Sequence, residues 1–290
     1  MISRGVAFMI ASAAAFSAMA VLVKLTSRAL PVGEVVLARA LVTLALSWWA
    51  VRALPRPWGQ RRGRLALRGL LGFCGLTCYY VALSRLPLAE ATTLHFMTPL
   101  LTAVFAWRLL GERVGWPTAA ALALGLAGVV AISQPARLLT GAGLDPLGVA
   151  AALAGAALSA LAYVTVRSLA ASEPPAVIVF YFPLVAAPLS APWALADFVW
   201  PSPGQALLLL GIGVTTQAGQ VFLTRGLTLE RAATATAVGY VQVAFAFAWG
   251  LLLFHEPLRH STALGVVLIG AAVVTIALAA ARRTADAAPR

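Results

Sequence analysis

Apolar residues fill this chain in long windows without period-2 alternation, and each window ends in a cluster of proline, glycine or charge. A helix needs about 20 mostly apolar residues to cross a bilayer. Windows of that length predict ten spans, at 5–25, 33–53, 65–85, 88–110, 116–133, 147–170, 175–197, 204–226, 231–253 and 261–281. Between them lie "LPVGE" (30–34), "LPRPWGQRRGR" (54–64), "GERVGWP" (111–117) and "SQPARLLTGAGLDP" (133–146). The later breaks are "SEPP" (172–175), "WPSPG" (200–204) and "HEPLRH" (255–260). Such residues stop helices and mark membrane interfaces. Arg4 before an apolar run ending "AFSAMA" imitates a signal peptide, but the run is too long for an ordinary apolar core, so it is expected to be a true span. The expected fold is an all-α membrane protein of ten transmembrane helices. A β-barrel would need short alternating strands.

The pattern also repeats. "ALSRLPLAEATTLHFMTPLLTAVFAWRLLGERV" at 82–114 aligns without a gap on "GLTLERAATATAVGYVQVAFAFAWGLLLFHEPL" at 226–258, a shift of 144. At that shift Gly75 meets Gly219 and Glu112 meets Glu256, and near the start, at a shift of 143, Gly5 meets Gly148 and Lys24 meets Arg167. This predicts a first five-helix repeat (1–135), a connecting loop (136–146), a second five-helix repeat (147–282) and a tail (283–290). Five is odd, so the second repeat would enter the membrane from the opposite side. Two five-helix inverted-topology repeats are a device of secondary transporters.

Composition and charge narrow the picture. The chain is 61% hydrophobic and 10% charged, with mean hydropathy +0.92, against about 45–50% apolar and about 25% charged in soluble domains. The net charge of +12 has no dense basic helix behind it, so nucleic acid is not an expected partner. The basic residues fall between spans. With the N-terminus inside, fifteen of them lie on the inner side, Arg52, Arg56, Arg61, Arg62, Arg64 and Arg68 included, and five lie outside. That bias predicts both termini in the cytoplasm. Cys74 and Cys78 sit one helical turn apart within a span and read as packing residues, and no metal or other cofactor is expected.

The repeated element, "LPVGEVVLARAL" (30–41), "GLAGVVAISQP" (125–135) and "EPPAVIVFYFPL" (173–184) together resemble the drug/metabolite transporter superfamily, in its EamA-type branch of ten-helix permeases. The likeness spans nearly the whole chain. Two departures are Val243 where the first copy has Pro99, and "FHE" where "GE" is usual. The resemblance implies a proton-driven or exchanging permease for a small metabolite, more often an exporter, in a bacterial inner membrane. The expected partners are that metabolite, the lipid bilayer and protons as a candidate coupling ion. A homo-oligomer is left as an alternative to the monomer.

Helical periodicity then sorts the polar positions. Thr92, His95, Pro99 and Thr102 share one stripe of the fourth span, and Thr236, Gly239, Tyr240 and Val243 share the matching stripe of the ninth. Polar groups in spans face the interior or a water-filled cavity, so the two stripes are candidate walls of one cavity. Gly72, Gly75 and Tyr79 form a stripe on the third span, and Gly155, Ser159 and Tyr163 one on the sixth. In the eighth span Gln217, Gln220 and Thr224 share a face, placed to bind a ligand, each other or a neighbouring helix. Arg39, about two turns into the second span, is either functional or bonded to backbone carbonyls. His95 could carry a coupling proton, hydrogen-bond the substrate, or be a satisfied core histidine. The candidate substrate-binding set is therefore Tyr79, Thr92, His95, Tyr163, Gln217, Gln220 and Tyr240. Arg39 and His95 are the candidate coupling or structural charges, and Pro99 is an expected helix break. Glu112 and Glu256, which end the fourth and ninth spans beside Arg113 and Arg259, are expected to form interface ion pairs or to fix loop geometry.

The leading function is alternating-access transport of a small amphipathic metabolite such as an amino acid or derivative, exported rather than imported. The alternatives are uptake of a nucleoside-bearing or flavin-like metabolite, a polytopic membrane enzyme, and a membrane scaffold that transports nothing. The enzyme reading lacks support in HExxH, GxSxG or a Cys/His cluster.

Overall fold

The computed structural model of the 290-residue chain describes residues 3–26, 30–136, 140, 143–254 and 260–286. Of the basic residues counted on the outer side, Arg28, Arg137 and Arg259 fall outside the described residues, as does Glu256. Among the described residues the secondary structure is helical, with no strand. The first half comprises α1 (Arg4–Thr26), α2 (Val32–Val51), α3 (Arg62–Arg85), α4 (Leu88–His95), α5 (Thr98–Leu110) and α6 (Trp116–Ser133). The second comprises α7 (Pro146–Leu169), α8 (Pro175–Ala196), α9 (Pro203–Leu229), α10 (Ala232–Val238), α11 (Val241–Phe254) and α12 (His260–Asp286). Among the described residues ten spans are long and apolar enough to cross a membrane, with α4–α5 and α10–α11 each making one broken span. Their ends fall close to the proline and glycine clusters read in the sequence.

The bundle packs by pairs that exchange between halves. α1 lies on α9 and α3 on α7, while α2 meets α8 and α6 meets α12. Small residues make these contacts close, because apolar burial alone does not drive helices together in lipid. On α3, a Cβ at Gly75 would stand 2.8 Å from Ser159 Oγ of α7. The Gly155 and Ser159 positions of α7 are thereby committed to packing. Outward faces carry Trp49, Trp107, Trp116 and Trp200, as a lipid-facing surface does.

Turn chemistry ends the helices. Gly111 closes α5 in the left-handed conformation (φ 68°), with the Glu112 amide donating back to the Ala106 carbonyl. Asp145 caps α7 by accepting from the Leu147 amide at 3.1 Å, and it binds Arg85 at 3.1 Å. The Arg85 guanidinium and these backbone donors hold the Asp145 carboxyl below its usual value.

Candidate functional site

The stretch 87–101 is where the fourth span stops being one helix. Helical geometry is interrupted at Phe96 and Met97, and Pro99 enters α5 within its first turn. Pro99 cannot donate to the carbonyl four residues back, that of His95. The Thr98 hydroxyl takes that place, donating to the His95 carbonyl at 2.6 Å. The Phe96 carbonyl accepts instead from the Tyr240 hydroxyl of the other half, at 3.1 Å. Both carbonyls are thus satisfied without water.

The ninth span breaks too, at Gly239 and Tyr240, although it has Val243 where the first copy has Pro99. Tightened bonds one residue short of the α pattern mark this turn, from Gly239 N–H to the Thr236 carbonyl and from Val243 N–H to the Tyr240 carbonyl. A Cβ at residue 239 would stand 2.9 Å from the Thr236 oxygen, which explains the glycine. Proline is therefore not needed for the break. Tyr240 is 0% exposed, its ring over Gly125 and 6.1 Å from that of Phe96. It occupies the seam between the two breaks.

Beside the first break, Tyr79, Thr92 and His95 come together. The Tyr79 and His95 rings lie 4.2 Å apart at 32°, and the Tyr79 and Thr92 hydroxyls are 3.4 Å apart. His95 Nδ1 is buried without a hydrogen-bond partner. His95 and Tyr163 lie deep in the bundle yet keep accessible surface, as expected of groups bordering an internal space.

A second group of polar side chains gathers from α2, α3, α8 and α9. Arg68 is 3% exposed and donates from Nη2 to Gln220 Oε1 at 2.8 Å. Ser47 donates to Gln217 Oε1 at 3.1 Å. Arg39, 9% exposed, stands 5.9 Å from the centroid of the Phe182 ring, and Arg68 stands 5.1 Å from the same centroid. The Tyr163 phenol lies within electrostatic range of Arg68.

Several expectations change in this light. Arg68 belongs to the bundle interior, not to the basic loop with which it was counted. The signal was present: Arg68 is one turn before Gly72 and extends the stripe that runs to Tyr79. Ser47 and Phe182 were not singled out at all. Gln217 and Gln220 do not bond each other; each has its own neighbour. Among the described residues the Arg39 guanidinium has no backbone-carbonyl bond; its contact is Phe182. Glu112 forms an ion pair, and its partner is Arg167 of the other half, not the adjacent Arg113. Left-handed Gly111 turns the chain so that Glu112 reaches Arg167 Nε at 2.8 Å and accepts from the Ala232 amide at 2.8 Å. Arg167 also donates to the Leu227 and Thr228 carbonyls at the end of α9. Among the described residues no three His, Cys, Asp or Glu side chains converge as a metal site would require.

Known proteins share this architecture. The pseudopaline exporter CntI of Pseudomonas aeruginosa (strain UCBPP-PA14) is 33% identical over 281 residues, 95% of this chain and 96% of its own length. The S-adenosylmethionine uptake transporter of Rickettsia prowazekii (strain Madrid E) is 26% identical over 203 residues, 70% of this chain and 67% of its own. A crystal structure of a protein with 23% identity matches 97% of this chain and 99% of that chain with a TM-score of 0.81, which speaks for the fold alone. The EamA-like transporter family model matches twice, over residues 3–134 and 146–278. With both halves matched and a relative similar over nearly its full length, this integral membrane chain belongs to the EamA-like transporter family.

Proposed function

We propose that the protein is a secondary permease that exports a small amphipathic metabolite, an amino acid or derivative, across the bacterial inner membrane by alternating access. The observation that carries this reading is a pair of polar groups inside an otherwise apolar bundle: Tyr79 and His95 beside the first break, and Arg68 with Gln220 and Ser47 with Gln217 joining the two halves of the chain, with Tyr163 near Arg68. Amides and a guanidinium suit carboxylate and amide groups, and the Tyr79–His95 pair suits an apolar or ring-bearing portion. His95 Nδ1 is buried without a hydrogen-bond partner among the described residues, and in this reading it serves as a ligand contact.

Movement follows from the two breaks. The angle between α4 and α5, and between α10 and α11, can change at Phe96–Met97 and at Gly239–Tyr240 without losing long runs of backbone bonds. The exchange of packing partners between halves suits two inverted five-helix units, each half offering the other the same kind of contact. Thr92 and Tyr240 lie beside these hinges, and both termini face the cytoplasm in this scheme. Similarity to an exporter over nearly full length favours outward movement.

An untargeted comparison of metabolites inside and outside cells, with the protein present and absent, tests the direction and class. The expected result is an amino-acid-like solute enriched in the medium when the protein is present. Depletion of a nucleoside-bearing solute from the medium would instead support the uptake reading, which the paired Tyr79 and His95 rings and the second relative favour. No protein-dependent change in any solute would overturn both.

A further inference from the structure

We infer that Arg39 of α2 and Arg68 of α3, which both approach the Phe182 ring of α8, form an anion clamp that holds a carboxylate of the transported metabolite. The inference rests on the transport reading above and narrows it to solutes that carry a carboxylate and no net positive charge.

The argument begins with unbalanced charge. Ionisable groups within membrane spans are costly and are normally paired with one another or with backbone carbonyls. Among the described residues no carboxylate stands within ion-pair distance of Arg39 or Arg68. Nε of each is buried and lacks a hydrogen-bond partner. Two buried guanidinium groups therefore face the same ring with donors unspent.

The neighbours deepen the imbalance. The Gln220 side-chain oxygen accepts from Arg68 and the Gln217 side-chain oxygen from Ser47, and each amide adds an NH2 group with two donors. Guanidinium has five N–H donors and no acceptor. The site is rich in donors and poor in acceptors, the complement of a carboxylate. Both planar groups approach the Phe182 ring, and the Nε donor of each stays without a partner. Gly72 makes room, since a Cβ there would stand 3.0 Å from the Phe182 ring and 3.6 Å from Arg68 Nη1. The Tyr79–His95 pair sits about 16 Å further along α3 at 1.5 Å per residue, so the clamp is separate from the aromatic end of the site.

The test uses the purified full chain in detergent, with glutarate, acetate and citrate as anionic probes and glutaramide as the neutral isostere, all at constant ionic strength. At least one carboxylate raises the unfolding midpoint by on the order of 3 °C near tenfold excess over its Kd, while glutaramide does not. R39Q and R68Q abolish the rise, and R68K restores part of it. No rise with any of the three carboxylates, or an equal rise in both glutamine variants, overturns the clamp. Should the variants not fold, phenylglyoxal labelling of the wild type decides. Arg39 and Arg68 are then labelled, and the stabilising carboxylate reduces labelling at those two residues specifically; labelling that no carboxylate alters overturns it. Flux assays separate the two claims. Vesicles that move no solute defeat the transport reading. Vesicles that move a neutral or cationic solute, unaffected by R68Q, defeat the clamp and leave transport standing.

Discussion

Tyr240→Phe removes one oxygen and nothing else, so it isolates the bond that joins the two helix breaks. The ring remains over Gly125 and beside Phe96, and packing is conserved. What is lost is the donor to the Phe96 carbonyl, 3.1 Å away. Interhelical hydrogen bonds in membranes average about 0.6 kcal/mol and reach about 1.7. A buried carbonyl left without any partner costs about 1–3 kcal/mol. The second figure weighs more here, because Tyr240 is 0% exposed and leaves water little access, and because the nearby Thr98 hydroxyl already serves His95. A loss of about 1–2 kcal/mol follows. For a chain of this size that lowers the midpoint by about 2–8 °C. The assay is thermal unfolding of purified protein at one scan rate, with Tyr240→Ala as the reference for losing the whole ring, about 3–5 kcal/mol. If Tyr240→Phe melts with the wild type while Tyr240→Ala falls, the hydroxyl does not support the break and the reasoning fails.

Other expectations follow from the same contacts. Glu112→Gln keeps an acceptor for the Ala232 amide but gives up the charge facing Arg167, and is expected to cost about 1–2 kcal/mol, less than the roughly 3–5 for breaking a fully buried pair. A double-mutant cycle with Arg167→Gln measures the coupling, and additive losses would contradict it. Gly75→Leu drives a side chain into Ser159 and the α7 backbone and should lower the midpoint or prevent folding, whereas Gly63→Ala, with open space around it, should not. Asp145 has a depressed pKa in the folded chain, so its contribution is present above the unfolded value and disappears as pH falls through the lower folded value. Asp145→Ala, which removes the acceptor, should speed hydrogen exchange at the Leu147 amide at neutral pH, and unchanged exchange would exclude the cap.

The spans were legible because hydrocarbon thickness sets a length, and proline–glycine clusters end each run where that length is reached. Tyr79, Thr92 and His95 were readable as neighbours because Thr92 and His95 share a helical stripe and Tyr79 belongs to the polar stripe of the next span. Arg68 was misplaced for a physical reason: a basic residue four positions into a span looks like the end of a basic loop until the packing of α8 is known. The break at Gly239 was not foreseen, because proline was taken as the cause of the first one. The structure puts the cause in tight turns stabilised across the seam, which one strand of sequence cannot display. The partner of Glu112 was hidden for the same reason. Left-handed Gly111 redirects the side chain away from its neighbour Arg113 and toward a helix of the other half.

The most direct test of the account is solute movement by the purified protein in liposomes, comparing wild type with His95→Ala and Arg68→Gln at matched insertion. The account predicts protein-dependent flux of an amino-acid-like carboxylate, at least tenfold lower in Arg68→Gln and clearly reduced in His95→Ala. Flux that is absent across a broad metabolite panel, or equal in all three proteins, would contradict it.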